Sequence, residues 1–204
     1  MKIIRTRPIY LLLLVAMLCA CGDDYKMQKI PAGVPILAFG DSLTRGNGAE
    51  PAESYPAVLA RLSGREIINA GISGEESAAG LERLPALLTQ HKPALLILCH
   101  GGNDFLRKKS VDKLEQNLRS MIALAEEDNI PVVLLGVPNL GIFLSSAEVY
   151  AKVAESSKVL FIEDVIADVL SDKSMKSDAV HPNKHGYKRM AETIFTTLQK
   201  AGAL

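Results

Sequence analysis

Short apolar runs alternate with segments of helical period along most of this chain, and no other feature limits its fold as strongly. The runs at residues 36–40, 66–69, 93–99, 131–137 and 158–162 read as strands. Residues 93–99 are apolar on both faces, as expected of a parallel strand covered on each side. Between the runs, 55–62 reads as a first helix, with Ser54 before it and Pro56 near its start. Leu81, Leu84, Leu87 and Leu88 have helical spacing, and Pro85 among them predicts a kink or a restart. Val111, Leu114, Leu118, Met121 and Leu124 or Ala125 fit a long amphipathic helix behind Ser110 as N-cap. Val149 and Val153 mark a helix capped at Ser145 or Ser146, and Tyr187, Met190, Ile194 and Leu198 a closing helix stopped by Gly202. The pattern predicts a three-layer α/β/α sandwich with a parallel sheet of about five strands.

The first run stops at Gly40 and gives way to Asp41-Ser42-Leu43. In open α/β sheets the carboxyl ends of the strands are where ligands collect. A serine in that turn becomes a nucleophile if a base reaches it and amides hold the developing oxyanion. Two later turns offer such amides. Gly74 follows the second run, where a glycine lets the backbone approach a ligand, and Asn103 in Gly101-Gly102-Asn103-Asp104 follows the third. In a sheet ordered 2-1-3 all three turns line one crevice. The base comes from Asp178-Ala179-Val180-His181, where carboxylate and imidazole three residues apart can meet on a turn. Taken singly, these are a turn serine, a turn glycine, a loop-capping asparagine and a surface histidine.

Taken together, Gly-Asp-Ser-Leu, Gly74, Gly-Gly-Asn-Asp and Asp-x-x-His-Pro resemble the blocks of the GDSL, or SGNH, hydrolases in order and spacing. Ile72-Ser73-Gly74-Glu75-Glu76-Ser77 with Arg83-Leu84-Pro85-Ala86-Leu87-Leu88 is similar to the branch of bacterial periplasmic thioesterase I/lysophospholipase and the arylesterases. The resemblance runs from about Pro35 to Ala201. It implies a flavodoxin-like sheet in the order 2-1-3-4-5, with Ser42 as nucleophile, His181 as base and Asp178 as its orienter. Ser42, Gly74 and Asn103 would form the oxyanion hole. The implied substrates are acyl esters, thioesters and lysophospholipids, with no cofactor. A carbohydrate O-deacetylase of the cell envelope is the rival hydrolase. An anchored binding lipoprotein with a dead site is the rival outside enzymes.

Cys99-His100 departs from that branch, where an acidic residue is expected before Gly-Gly-Asn-Asp; His100 reads as structural, or as a second base. His91 and His185 read as surface or helix-start residues. Asp41 and Asp104 lack a further cluster of ligands, so no metal is expected.

Ahead of the domain, Lys2, Arg5 and Arg7 precede an apolar stretch from Ile9 to Ala20, shorter than the ~20 residues of a membrane span. Leu18-Cys19-Ala20-Cys21 resembles a bacterial lipoprotein signal cleaved before Cys21, which would carry the lipid; an ordinary secretory leader is the alternative. The expected organisation is a signal peptide over 1–20, a tether over 21–33 and one hydrolase domain over 34–204. Such an enzyme would sit lipid-anchored on a membrane surface in the bacterial cell envelope. Without residues 1–20, 20 basic side chains face 23 acidic ones, a balance that offers nothing to nucleic acid. Of three cysteines only Cys99 would remain unmodified, so no internal disulfide is expected.

The loop Pro138-Asn139-Leu140-Gly141-Ile142-Phe143-Leu144 carries more large apolar residues than turn chemistry requires. Leu140, Ile142 and Phe143 are read as a wall for the acyl chain, with a satellite core against neighbouring helices as the alternative.

Overall fold

The computed structural model describes residues 25–139 and 144–204. The leader, Cys21 and the wall residues Leu140, Ile142 and Phe143 lie outside the described residues.

Five parallel strands, β1 (Ile36–Gly40), β2 (Ile67–Gly71), β3 (Leu95–Cys99), β4 (Val132–Leu135) and β5 (Leu160–Ile162), form one sheet in the order β2-β1-β3-β4-β5. Every residue of β1 and β3 is buried, whereas edge strand β2 stays partly open. In register, Gly40 lies beside both Gly71 and Cys99, so the first three strands end level. Their following turns therefore begin side by side.

The helices are α1 (Ser42–Arg45), α2 (Tyr55–Ser63), α3 (Ser77–His91), α4 (Gly102–Leu106), α5 (Val111–Glu127), α6 (Glu148–Ser157), α7 (Val165–Ser171) and α8 (Lys184–Lys200). Right-handed crossovers in this strand order send α2 to one face and α3, α5 and α6 to the other. Accordingly α2 packs on α8 and α8 on α7, while α5 touches both α3 and α6. The core is apolar and continuous, with Leu84, Leu114, Leu118, Met121, Tyr187, Met190 and Ile194 fully buried against the sheet.

Three expectations change. Helix α3 runs unbroken through Pro85, which stands at an exposed position of the helix. The cap of α6 is Ala147, because Ser146 instead bridges Pro138 and donates its N–H to Asp164. Helix α7 was not anticipated, although its period is there: Val165, Ile166, Ala167, Val169 and Leu170 are buried while Asp168 and Ser171 are exposed.

The amino-terminal segment expected as a tether is fastened to the domain from Met27 onward. Met27 N–H donates to Ala201 O and Ile30 N–H to Ala203 O, and Arg65 donates to the carbonyls of Ile30 and Pro31. No helix among the described residues is long and apolar enough to cross a membrane.

Candidate active site

Ser42 is the first residue of α1, and the turn that presents it is held by Asp41. The Asp41 carboxylate, 1 % exposed, accepts the Leu43 N–H at 3.0 Å and so caps the helix. Burial pushes its carboxyl pKa up, against the opposing pull of His100, the Leu43 and Gly102 N–H groups and His181. Only glycine fits at the strand end, since a Cβ on Gly40 would fall 1.9 Å from the Cys99 carbonyl oxygen.

Asp178 and His181 sit on a loop that closes on itself before α8. Ser177 N–H donates to His181 O, Asn183 N–H donates to Met175 O, and Lys176 bridges Pro182. Asp178 Oδ1 accepts the N–H groups of Val180 and His181, each at 2.8 Å, which turns Oδ2 toward the ring. His181 Nδ1 lies 2.8 Å from Asp178 Oδ2, and Nε2 lies 3.1 Å from Ser42 Oγ. With the carboxylate accepting from Nδ1, Nε2 is left as the acceptor for the serine proton. Partial burial raises the Asp178 carboxyl pKa, but the His181 ring and the two backbone amides outweigh it and hold it below the ordinary range.

Gly74 and Asn103 line the same crevice of about 400 Å³ as Ser42 and His181. Gly74 adopts φ +78°, a conformation that favours glycine, and no protein acceptor takes its N–H among the described residues. Asn103 differs from the expected free donor. Its Nδ2 already donates to Glu75 O at 3.0 Å and to Asp41 Oδ2 at 3.3 Å. Much of the remaining lining is apolar, from Leu43, Phe105, Val137, Ile166, Leu170 and Val180.

Several charged or polar residues around this crevice were not singled out from sequence. Asn47 takes the Ser73 hydroxyl on its Oδ1, and its backbone carbonyl accepts the Tyr187 hydroxyl. Arg107 donates to Gly74 O and pairs with Glu76. Glu75 pairs with Arg83 and with His100, which is wholly buried. Glu75 and Arg83 stand within the stretches similar to the thioesterase I branch, with no role of their own assigned there. The available signal was Gly80, three residues before Arg83: a Cβ there would sit 2.4 Å from His100 Nε2. Asp41 and Asp104 do not face a shared site; Asp104 accepts the N–H and hydroxyl of Ser77.

The model of the GDSL-like lipase/acylhydrolase family matches residues 38–189, a span that holds all of these turns. The chain belongs to that family. Among curated relatives of this GDSL-like hydrolase, esterase TesA of Pseudomonas aeruginosa is 35 % identical over 194 residues, covering 90 % of this chain and 96 % of the relative. Thioesterase 1/protease 1/lysophospholipase L1 of Escherichia coli K12 is 32 % identical over 182 residues, covering 84 % and 86 %. A crystal structure of TesA superposes with a TM-score of 0.73 at 34 % identity, over 82 % of this chain and 99 % of that one. As a GDSL-like hydrolase with relatives so named, the protein is a hydrolase acting on ester bonds.

Proposed function

We propose that this GDSL-like hydrolase cleaves acyl esters through an acyl-enzyme on Ser42. The observation that carries the reading is the 3.1 Å approach of His181 Nε2 to Ser42 Oγ, with Asp178 behind the ring. Ser42 Oγ attacks the carbonyl carbon while His181 Nε2 takes its proton. The tetrahedral oxyanion is received by the N–H groups of Ser42 and Gly74 and by Asn103 Nδ2. For the asparagine to serve, its longer 3.3 Å bond to Asp41 yields to the oxyanion as charge develops. Collapse expels the alcohol or thiol, which takes the proton from His181. Water then attacks the acyl-enzyme by the same route and restores Ser42.

The apolar residues of the crevice support an acyl chain longer than acetyl on the acid side of the bond. Thioesters and lysophospholipids are proposed as substrates beside simple esters, since one relative is named a thioesterase and lysophospholipase. Lipidation at Cys21, with the enzyme held at a membrane surface of the cell envelope, is proposed from the Leu18-Cys19-Ala20-Cys21 motif. A fluorophosphonate probe tests the nucleophile, with labelling expected at Ser42 and lost in Ser42→Ala. A panel of p-nitrophenyl esters of graded chain length, run beside acetylated sugars, tests the substrate class. Turnover confined to the sugars would overturn it.

A further inference from the structure

We propose that Glu75 is a positioning residue for acyl transfer, tying together the ends of the three strands whose turns carry Ser42, Gly74 and Asn103. The inference rests on the acyl-transfer reading of Ser42 and concerns what keeps its oxyanion donors aimed.

The Glu75 side chain, only 6 % exposed, meets Arg83 in a two-pronged contact. Nε donates to Oε1 at 2.7 Å and Nη2 to Oε2 at 2.6 Å, the fork geometry that makes arginine–carboxylate pairs directional. The same Nη2 reaches Ala70 O in β2 at 2.8 Å and Gly40 O at the end of β1 at 3.3 Å. The guanidinium also lies over the Phe39 ring of β1, 4.2 Å from its centroid. Arg83 is thereby fixed to two strands at once.

The third strand enters through His100, one residue past the end of β3. Its Nδ1 accepts the Gly101 N–H at 3.0 Å, so the hydrogen belongs on Nε2, which stands 3.1 Å from Glu75 Oε2. The His100 carbonyl is held in turn by the Tyr150 hydroxyl at 2.7 Å. Gly80 gives the ring its space.

The backbone of the same residue completes the tie. Glu75 O accepts Asn103 Nδ2 at 3.0 Å, and Gly74, immediately before it, has its carbonyl pinned by Arg107 at 2.9 Å. A displacement of Glu75 therefore moves the Gly74 peptide and the anchor of the Asn103 amide together. Oxyanion donors lose their value when misplaced by about 1 Å, so this coupling acts on turnover and not only on stability.

The test is a double-mutant cycle of Glu75→Gln with Asn103→Ala. It is read as kcat and KM on p-nitrophenyl butyrate, as the rate of fluorophosphonate labelling, and as a thermal midpoint. Glu75→Gln should lower kcat roughly 10–100-fold with KM within about twofold, and slow labelling to match. In the Asn103→Ala background the same change should cost less than about threefold, because the two residues act as a unit. Glu115→Gln, which breaks ion pairs with Arg119 and Lys152 and is not among the residues lining the crevice, is the control for loss of one carboxylate. Wild-type turnover in Glu75→Gln, or an equal loss in both backgrounds, overturns the proposal. A wild-type protein not labelled at Ser42 overturns the acyl-transfer reading itself, and this proposal with it. If Glu75→Gln does not fold, Arg83→Lys, which keeps the charge but loses the fork, carries the same cycle.

Discussion

Asn103 Nδ2 stands 3.3 Å from Asp41 Oδ2, so the candidate oxyanion donor leans on the residue immediately before the candidate nucleophile. The longer of the two Asn103 bonds is thus the one nearest the chemistry, and it can be exchanged as negative charge appears. Asn103→Ala is expected to lower kcat roughly 10²–10³-fold, about 2.7–4 kcal/mol, the usual loss for one such donor. KM should change little, because the contact forms with the transition state. Asp41→Asn would turn an amide N–H toward the Asn103 amide while keeping the Leu43 cap. A kcat loss of about tenfold at constant KM is expected on steady-state ester kinetics. A change in KM alone would make Asn103 a substrate ligand instead.

Asp178 holds His181 Nδ1 at 2.8 Å while two backbone amides hold Asp178. Asp178→Asn keeps the shape but favours the wrong tautomer. Turnover should fall on the order of 10³–10⁴-fold by analogy with serine proteases, with folding intact by circular dichroism. Ser42→Ala should abolish both turnover and probe labelling.

Glu75 gives the domain a defined response to acid. Burial raises its carboxyl pKa, but the hydrogen bonds from His100 and Arg83 outweigh this and leave it below the ordinary value of 4.5. Its contribution is therefore complete above the unfolded-state value, and it is lost as pH falls through the lower folded-state value, where the native carboxylate is at last protonated. Urea unfolding between pH 7 and pH 3 should show wild type losing stability in that window, with a smaller slope in Glu75→Gln. Parallel curves for the two proteins would mean that Glu75 does not titrate with folding.

Acyl length should be read on α7. Leu170 and Ile166 line the crevice, and each buried methylene is worth about 0.8 kcal/mol at most. Leu170→Ala is expected to lower kcat/KM for octanoyl esters several-fold more than for acetyl esters. The ratio of the two constants measures it, and Phe143→Ala tests the proposed acyl wall in the same assay. Equal loss on both esters with a lowered melting point would assign Leu170 to packing alone.

Cys21→Ser should leave ester hydrolysis unchanged while releasing the protein from the membrane fraction or blocking its processing. Intact mass and fractionation read this directly, and unaltered values for both would rule out lipidation.

What could be read ahead of the structure follows the range of the forces involved. Strands β1 and β3 are apolar on both faces, and each gives way to a glycine-bearing turn, at Gly40 and at Gly101-Gly102, so their limits are local properties. Asp178 and His181 lie three residues apart on a loop that hydrogen-bonds to itself, and their pairing is local as well. Ser42, Gly74 and Asn103 meet because three strands end level, which the strand order alone implies. The contacts of Glu75 were not legible for the opposite reason, although the residue stands in a family-like stretch: its partners are eight and 25 residues away, and only the sheet brings Arg83 and His100 to it. Pro85 misled because a proline is tolerated on the watered side of a helix, and which side faces water is a tertiary fact.

The docking of Met27 and Ile30 on Ala201 and Ala203 gives the molecule a direction. The segment around Met27 and Ile30 lies beside Ala94, Pro131 and Val159, the residues immediately before β3, β4 and β5, whereas Ser42 lies where the strands finish. Both ends of the described chain thus leave from the sheet's amino edge. If the lipid proposed at Cys21 holds the protein by the residues before Met27, the grip and the crevice fall at opposite edges of the sheet.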